Sequence, residues 1–235
     1  MNVDTIKSLA TRPRVPFFLA SLRERELAWY PERGVGFFPV DLMLPVYDAA
    51  YLAKYDGYAA TELGRRLTDA RGALVEKYTG GEVIDFGCAS GAFVSARNCF
   101  GADHGYLGGG PTFGYDVIPE AVKRQQQRGW FRTFFDREHH AATFWDSLEH
   151  LRNPELALDR VERFAFVSLP IFDGLEHVLR SRHFRRDEHF WYFTRAGFES
   201  FAARCGFDVL EYSSMESQLG RDSIGTFALR RVRRT

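Results

Sequence analysis

The chain has 235 residues, 45% of them hydrophobic, and 31 basic against 31 acidic side chains for a formal net charge of zero. That length suits one α/β domain with an N-terminal extension better than two independent domains, and the apolar content is enough for a packed core, which excludes a disordered chain. The charge balance excludes a global field that would hold a polyanion, so nucleic acid would need a local basic patch.

The first residues, Met1 to Ala20, carry Lys7, Arg12 and Arg14 and break their apolar stretches with prolines. They do not read as a secretory signal, and no apolar run approaches membrane-spanning length. Cys88, Cys99 and Cys205 form an odd set without a CxxC pair, which argues against a disulfide framework or a structural zinc site and for a reducing, cytoplasmic compartment. Residues 1–58 are rich in aromatics and prolines and show no steady period. They are expected to form an arm packed on the surface or a lid over a pocket, with the main domain running from 59 to 235.

From Thr61 a helical spacing through Leu63, Leu67, Ala70, Leu74 and Val75 ends at Gly80-Gly81. Glu82 to Gly87 reads as a short buried strand, followed by a helix from Ala92 to Cys99 and a glycine-rich loop from Gly101 to Gly110. Thr112 to Asp116 reads as a second strand, and Pro119 opens a helix to Arg128. Phe131 to Phe135 and Ala141 to Asp146 are expected as the next strands, Pro154 opens another helix, and Arg163 to Leu169 is a strand. Thr194 caps a helix that Gly206 closes, and strands are expected over Phe207 to Met215 and Ile224 to Val232. The alternation implies a mostly parallel sheet covered on both faces. The last segment, with Arg230, Arg231, Arg233 and Arg234, reads as an edge strand protected by charge.

Ligands of such sheets bind at the carboxyl ends of the strands. The first turn there, Asp85-Phe-Gly87-Cys88-Ala89-Ser90-Gly91, lets a ligand approach the backbone and offers free N–H groups at a helix start. No Gly-Lys-Ser/Thr follows, and GxxxG is not the dinucleotide GxGxxG. Asp85 would repel a pyrophosphate but suits a ligand bearing an ammonium and a sulfonium. At the end of the next strand, Asp116 is placed to accept ribose hydroxyls, with capping of the following helix as its plainer role.

Together these segments resemble the class I S-adenosylmethionine-dependent methyltransferases. Val83-Ile-Asp-Phe-Gly-Cys-Ala-Ser-Gly-Ala-Phe93 is similar to the family's hhDhGCGxGxF, with Ala89 in place of the middle glycine. Gly114-Tyr-Asp-Val-Ile-Pro-Glu-Ala-Val122 resembles GhDhSPEAV, and Thr143 to Pro154 resembles hhDVLEHLxDP. Phe166-Val-Ser-Leu-Pro170 is similar to hhSVPN, and His189 to Phe207 to HxxxFTxxxLxxLhxxxGF. The resemblance implies a Rossmann-like, seven-stranded, mostly parallel sheet with a reversed last strand. It also implies S-adenosyl-L-methionine as cofactor, contacted by Asp85, Gly87, Cys88, Ala89, Gly91, Asp116, Val117 and Asp146. The family's acid near the adenine has no clear counterpart: Asp136 is the nearest substitute, and His139-His140 stand where Phe-Asp is usual.

On the acceptor side there is no Pro-Pro for an amino-group DNA methyltransferase and no Pro-Cys nucleophile for a cytosine-C5 enzyme. Asp146, Glu149 and His150 resemble the acidic-x-x-Glu-His set of the ubiquinone-biosynthesis O-methyltransferases, in which such residues can hold a divalent metal. The reading preferred from sequence is that Glu149 and His150 cap the next helix and that no metal is held. An insertion at 171–193, with the basic and aromatic stretch His177 to Phe193, is expected to shape the acceptor pocket. The leading expectation is a small-molecule hydroxyl or other heteroatom acceptor, with His150 or His189 as base. The alternative is a nucleic acid or nucleotide stacked on the 177–193 stretch.

Overall fold

The computed structural model describes residues 27–39, 47–99 and 110–232. Residues 1–26, 40–46, 100–109 and 233–235, and whatever was read of them above, lie outside the described residues.

Six strands form the main sheet: β3 (Val83–Phe86), β4 (Thr112–Tyr115), β5 (His139–Trp145), β6 (Val161–Pro170), β8 (Phe207–Ser213) and β9 (Ile224–Arg231), in the order β4-β3-β5-β6-β9-β8. Neighbours are parallel from β4 through β6, whereas β9 runs antiparallel to both β6 and β8. The last strand is therefore the reversed one. Being inserted between β6 and β8, it is not the edge strand expected from its arginines. Phe227, Ala228 and Leu229 are fully buried, and Arg231 turns back to donate to the Val161 and Leu158 carbonyls.

Side chains alternate across this sheet as strand geometry requires. Ile84, Phe86, Ala142, Phe144, Ala165, Val167 and Phe227 share one face with residues of α5 (Pro154–Leu158) and α7 (Arg195–Arg204). Val83, Ala141, Trp145, Phe166 and Ala228 share the other with Leu74 and Val75 of α2 (Glu62–Tyr78) and Phe93 of α3 (Ala92–Cys99). Thr194 caps α7 as expected and Thr61 caps α2, each accepting from the backbone N–H three residues on.

The seventh strand expected at Phe131 to Phe135 is reduced to a single bridge between Phe131 and Gly114. Phe134 and Phe135, though adjacent, both pack against Phe86, with ring centroids 4.7 and 6.0 Å away. A strand would send them to opposite faces.

A second, three-stranded antiparallel sheet joins the arm to the insertion: β1 (Ala28–Tyr30), β2 (Val35–Phe37) and β7 (Trp191–Phe193). Between the arm's strands and α2 lies α1 (Ala49–Ala59), capped by Asp48. It falls in the segment expected to be irregular. The insertion also contains α6 (Leu175–Arg180), and α8 (Met215–Gln218) precedes β9. Among the described residues no helix is long and apolar enough to cross a membrane.

The small sheet is tied to α7 by close backbone contact. Thr194 N–H donates to the Gly34 carbonyl at 2.8 Å, and a Cβ at Gly197 would overlap that same carbonyl. Gly197→Ala should therefore destabilise the protein by about 1–3 kcal/mol through overpacking. Urea unfolding of the two proteins measures it, and equal midpoints would refute the close approach.

Candidate functional site

The chain leaves β3 for β4 on one side and later β5 on the other, so the carboxyl ends of β3 and β5 flank the topological switch point. The turn after β3 is held by backbone bonds: Gly87 and Cys88 N–H both donate to the Tyr115 carbonyl, at 2.8 and 3.1 Å, and Gly91 N–H donates to Cys88 O at 2.7 Å. Gly87 sits at φ 78°, and Ala89, in the family's glycine position, at φ 42°. Both lie in the left-handed region, which a side chain makes costly. A Cβ at Gly87 would stand 3.0 Å from Cβ of Ser147. Glycine there thus serves the turn's conformation and its contact with the β5 end, as well as any ligand.

Asp116 organises this turn. One carboxylate oxygen accepts from Ala89 N–H at 2.7 Å, and the other from Val117 and Ile118 N–H at 2.8 and 2.9 Å. It thereby joins the first turn to α4 (Pro119–Gln127). Val117 projects an exposed side chain beside it, and the Cys88 thiol is buried beneath. Asp85 is buried and accepts from Thr143 Oγ1 at 2.7 Å. Burial pushes its carboxyl up to about 7, against the lowering influence of Thr143 and Arg71.

Helix α1 lies over this turn. Its Leu52 packs with Ile118 and Ala121 beside Ala89, and its Asp56 accepts two bonds from Arg124, which also donates to Ser90 O. Tyr47, Tyr51 and Tyr55 form a ladder with ring centroids 5.0 and 5.1 Å apart. Burial pushes the phenol pKa of all three up and keeps them neutral, with Glu188 of the insertion close enough to add to it. The four-residue spacing of these tyrosines is the sequence signal that would have revealed α1.

Asp146, expected at the donor, is bonded to two arginines. Its two oxygens accept from Arg221 at 2.6 and 2.9 Å, and one also accepts from Arg71 at 3.2 Å. Both arginines also bond Glu216, which accepts in turn from Ser168 at 2.7 Å. The carboxylate is thus committed to arginines, which hold it well below the usual carboxylate range against the cost of burial. Nothing in the spacing of Arg71, Arg221 and Glu216 announces this cluster.

His150 and His189, 39 residues apart in sequence, are brought ring to ring, centroids 4.6 Å apart. Phe190 N–H donates to Glu149 O at 2.9 Å and fastens the insertion to the turn after β5. Burial lowers both histidines, His150 to about 4, so both are neutral near pH 7. The capping role expected of Glu149 is not observed. Its carboxylate is buried without a hydrogen-bond partner among the described residues, and α5, with Asn153 at its N-cap position, has no side-chain cap. Asp136 is exposed, and His139 bonds the Phe134 carbonyl.

A family profile described as a methyltransferase domain matches residues 55–212. Among solved structures, magnesium protoporphyrin IX methyltransferase (ChlM) from Synechocystis PCC 6803, with bound SAH, superposes with a TM-score of 0.56 at 12% identity, covering 79% of this chain and 96% of that one. A chain from the complex of the Haloferax volcanii Trm112 methyltransferase activator with a methyltransferase gives 0.55 at 15% identity, over 80% and 100% of the two chains. The small RNA methyltransferase HEN1 gives 0.52 at 15% identity, over 73% of this chain and 26% of that one. At these identities the likeness is one of fold. No curated protein matches by sequence.

Removing one member of a buried ion cluster leaves its partners uncompensated. Arg221→Met should lower stability by about 3 kcal/mol or more on that ground. Chemical denaturation checks it, and a loss below about 1 kcal/mol would mean the cluster is solvated like a surface pair.

Proposed function

The chain belongs to the methyltransferase-domain family and is an S-adenosylmethionine-dependent methyltransferase; we propose that it methylates a heteroatom, foremost a hydroxyl, of a small molecule, with His150 and His189 as the acceptor-side catalytic residues. The observation that carries this reading is the imidazole pair at the end of β5, the strand beside the donor turn.

The residues at the carboxyl ends of β3 and β4 fit the donor. Asp85 supplies a carboxylate toward a cationic group, the Gly87 to Gly91 turn leaves its backbone open to approach, and Asp116 retains lone-pair capacity beyond its three backbone bonds. Val117 offers an apolar side chain to the adenine. When bound, the donor supplies an electrophilic methyl group on a sulfonium sulfur. The protein's part is then to orient the acceptor, exclude water and take up a proton. The ladder of Tyr47, Tyr51 and Tyr55 roofs this space, which supports a lid role for the arm.

A nucleic-acid acceptor is disfavoured by what the 177–193 stretch does. Phe190, Tyr192 and Phe193 are buried, and Phe184 packs on Phe38 and Tyr192. Arg180 and Arg185 pair with Glu176 and Glu188, and His183 bonds the Asp222 carbonyl. The aromatic side chains anchor the insertion to the core, where they are unavailable to stacked bases. Radiolabelled methyl transfer to a panel of small hydroxyl and amine acceptors, set against RNA and DNA, tests the reading. Label entering only polynucleotide would overturn it.

Donor affinity should depend on pH through Asp85. A cationic ligand favours the ionised carboxyl, so protons compete with it below the raised value of about 7. Affinity should rise with pH up to about 7 and then level off, by at most about tenfold per unit. Calorimetric titration across pH measures this, and Asp85→Asn should flatten the profile. A wild-type profile already flat from pH 5 to 8 would remove Asp85 from the donor site.

Once an acceptor is in hand, His150→Gln and His189→Gln should each lower turnover by about 10²–10⁴-fold with donor affinity preserved. Single-turnover rates measure the effect. Unchanged rates in both variants would leave proximity alone to carry the reaction.

A further inference from the structure

Of the eleven residues of α1 only Leu52 is buried, in the cluster with Ile118 and Ala121. A helix with one apolar pin belongs to the part of a fold that opens locally, well before global unfolding. The strongest polar tie between this helix and the donor turn is a single ion pair. Asp56 accepts from both terminal nitrogens of Arg124, at 2.6 and 2.9 Å, and the nitrogen of the shorter bond also donates to Ser90 O at 3.1 Å. One guanidinium nitrogen of α4 therefore grips the covering helix and the turn between Gly87 and Gly91 together.

The pair is built to be reversible. Asp56 keeps 39% side-chain exposure and Arg124 keeps 32%, so water and salt compete for both charges. Its two bonds still give it direction, because a carboxylate matches the planar fork of an arginine. The contrast is with Arg71 and Arg221, whose shared partner Glu216 is fully buried.

Behind Asp56 the chain enters a tight corner. The N–H and the hydroxyl of Thr61 both donate to Tyr58 O, and a Cβ at Gly64 would stand 2.3 Å from that same carbonyl. The start of α2 thus packs directly on the end of α1, and opening of α1 is a rotation about this corner. Asp56, just ahead of it, sets the angle at which Tyr47, Tyr51 and Leu52 come down on Ala89 and Ile118.

We propose that Asp56 and Arg124 are positioning residues that govern how long the donor and its demethylated product stay bound: their ion pair holds α1 closed over the donor turn, and its opening lets the ligand leave. This rests on the donor site read at the β3 turn and adds to it a control on residence. Release of the demethylated product belongs to every turnover, so the pair also sets a ceiling on the turnover rate. The sign of the salt effect follows. Screening weakens an exposed pair, so release accelerates with ionic strength.

Stopped-flow fluorescence of S-adenosylhomocysteine binding measures association and dissociation and needs no acceptor. Asp56→Asn removes the charge from α1 and leaves Arg124 in place to bond Ser90 O. It should release the ligand about two- to fivefold faster, as the loss of one exposed pair implies, with association no slower than in the wild type. Asp56→Glu, which retains the carboxylate, should release at close to the wild-type rate. Raising salt from about 0.05 to 0.5 M should speed release from the wild type and affect Asp56→Asn less. Lys54→Gln, at an exposed position of the same helix, should change neither rate. Wild-type release from Asp56→Asn overturns the proposal, as does release from Asp56→Glu as fast as from Asp56→Asn. An affinity loss in Asp56→Asn carried by slower association also overturns it, since the pair would then support the turn alone. Each of these outcomes leaves donor binding by the wild type standing. If the wild-type chain binds no S-adenosylhomocysteine at millimolar ligand, the donor reading itself falls and the role of the ion pair with it.

Discussion

Arg71, Asp146, Glu216 and Arg221 bring opposite charges together at the carboxyl end of the sheet, and the remaining geometry of that end depends on them. Arg71 comes from α2, Asp146 from the end of β5, Glu216 from α8 and Arg221 from the loop before β9. Ser168 of β6 and Thr226 of β9 extend the network into the sheet. Such a cluster contributes little net stability compared with an apolar core, because desolvation offsets most of the Coulomb gain. What it does is fix direction. Asp146 is held at φ 54°, a conformation disfavoured for a residue with a side chain, and the chain is thereby turned into Leu148–His150. Glu149 and His150 face the insertion because Asp146 faces the arginines.

The two halves of the site are built by different means. In the turn after β3 nearly every positioning contact uses the backbone: Tyr115 O holds Gly87 and Cys88, and Asp116 collects three N–H groups. Side-chain identity matters there chiefly where it permits a left-handed residue or supplies a carboxylate. At the end of β5 the side chains come from two separate segments, the Leu148–His150 turn and the insertion, joined by the Phe190 to Glu149 backbone bond, and Glu149 and His189 carry buried polar atoms without a partner among the described residues.

That difference explains which parts could be read in the sequence. Backbone-defined features leave local signatures, so the β3 turn, Asp116, Pro119 and the Thr194 cap were each legible within a window of a few residues. Features made by distant side chains leave none. Asp146 carries the expected residue at the expected place, yet its partners lie 75 positions away on either side. The meeting of His150 and His189 depends on one backbone bond across the insertion. The strand expected at Phe131 failed because apolar residues in a row satisfy a strand pattern whether or not they alternate in space, and Phe134 and Phe135 do not. The arm's small sheet was missed because its pairing partner, β7, is contributed from more than 150 residues further along the chain.

That small sheet also changes how the molecule can be divided. Strands β1 and β2 come from the beginning of the chain and β7 from the far side of the sheet crossover, yet they share hydrogen bonds and the cluster of Phe38, Phe172, Val178 and Tyr192. Mechanically the arm and the insertion are one part, attached to the donor-binding domain at Gly34–Thr194 and at Glu149–Phe190. A graft that moves the insertion into a related framework without the arm would carry an unpaired strand edge and half an apolar cluster. Only the two segments together form an exchangeable cassette.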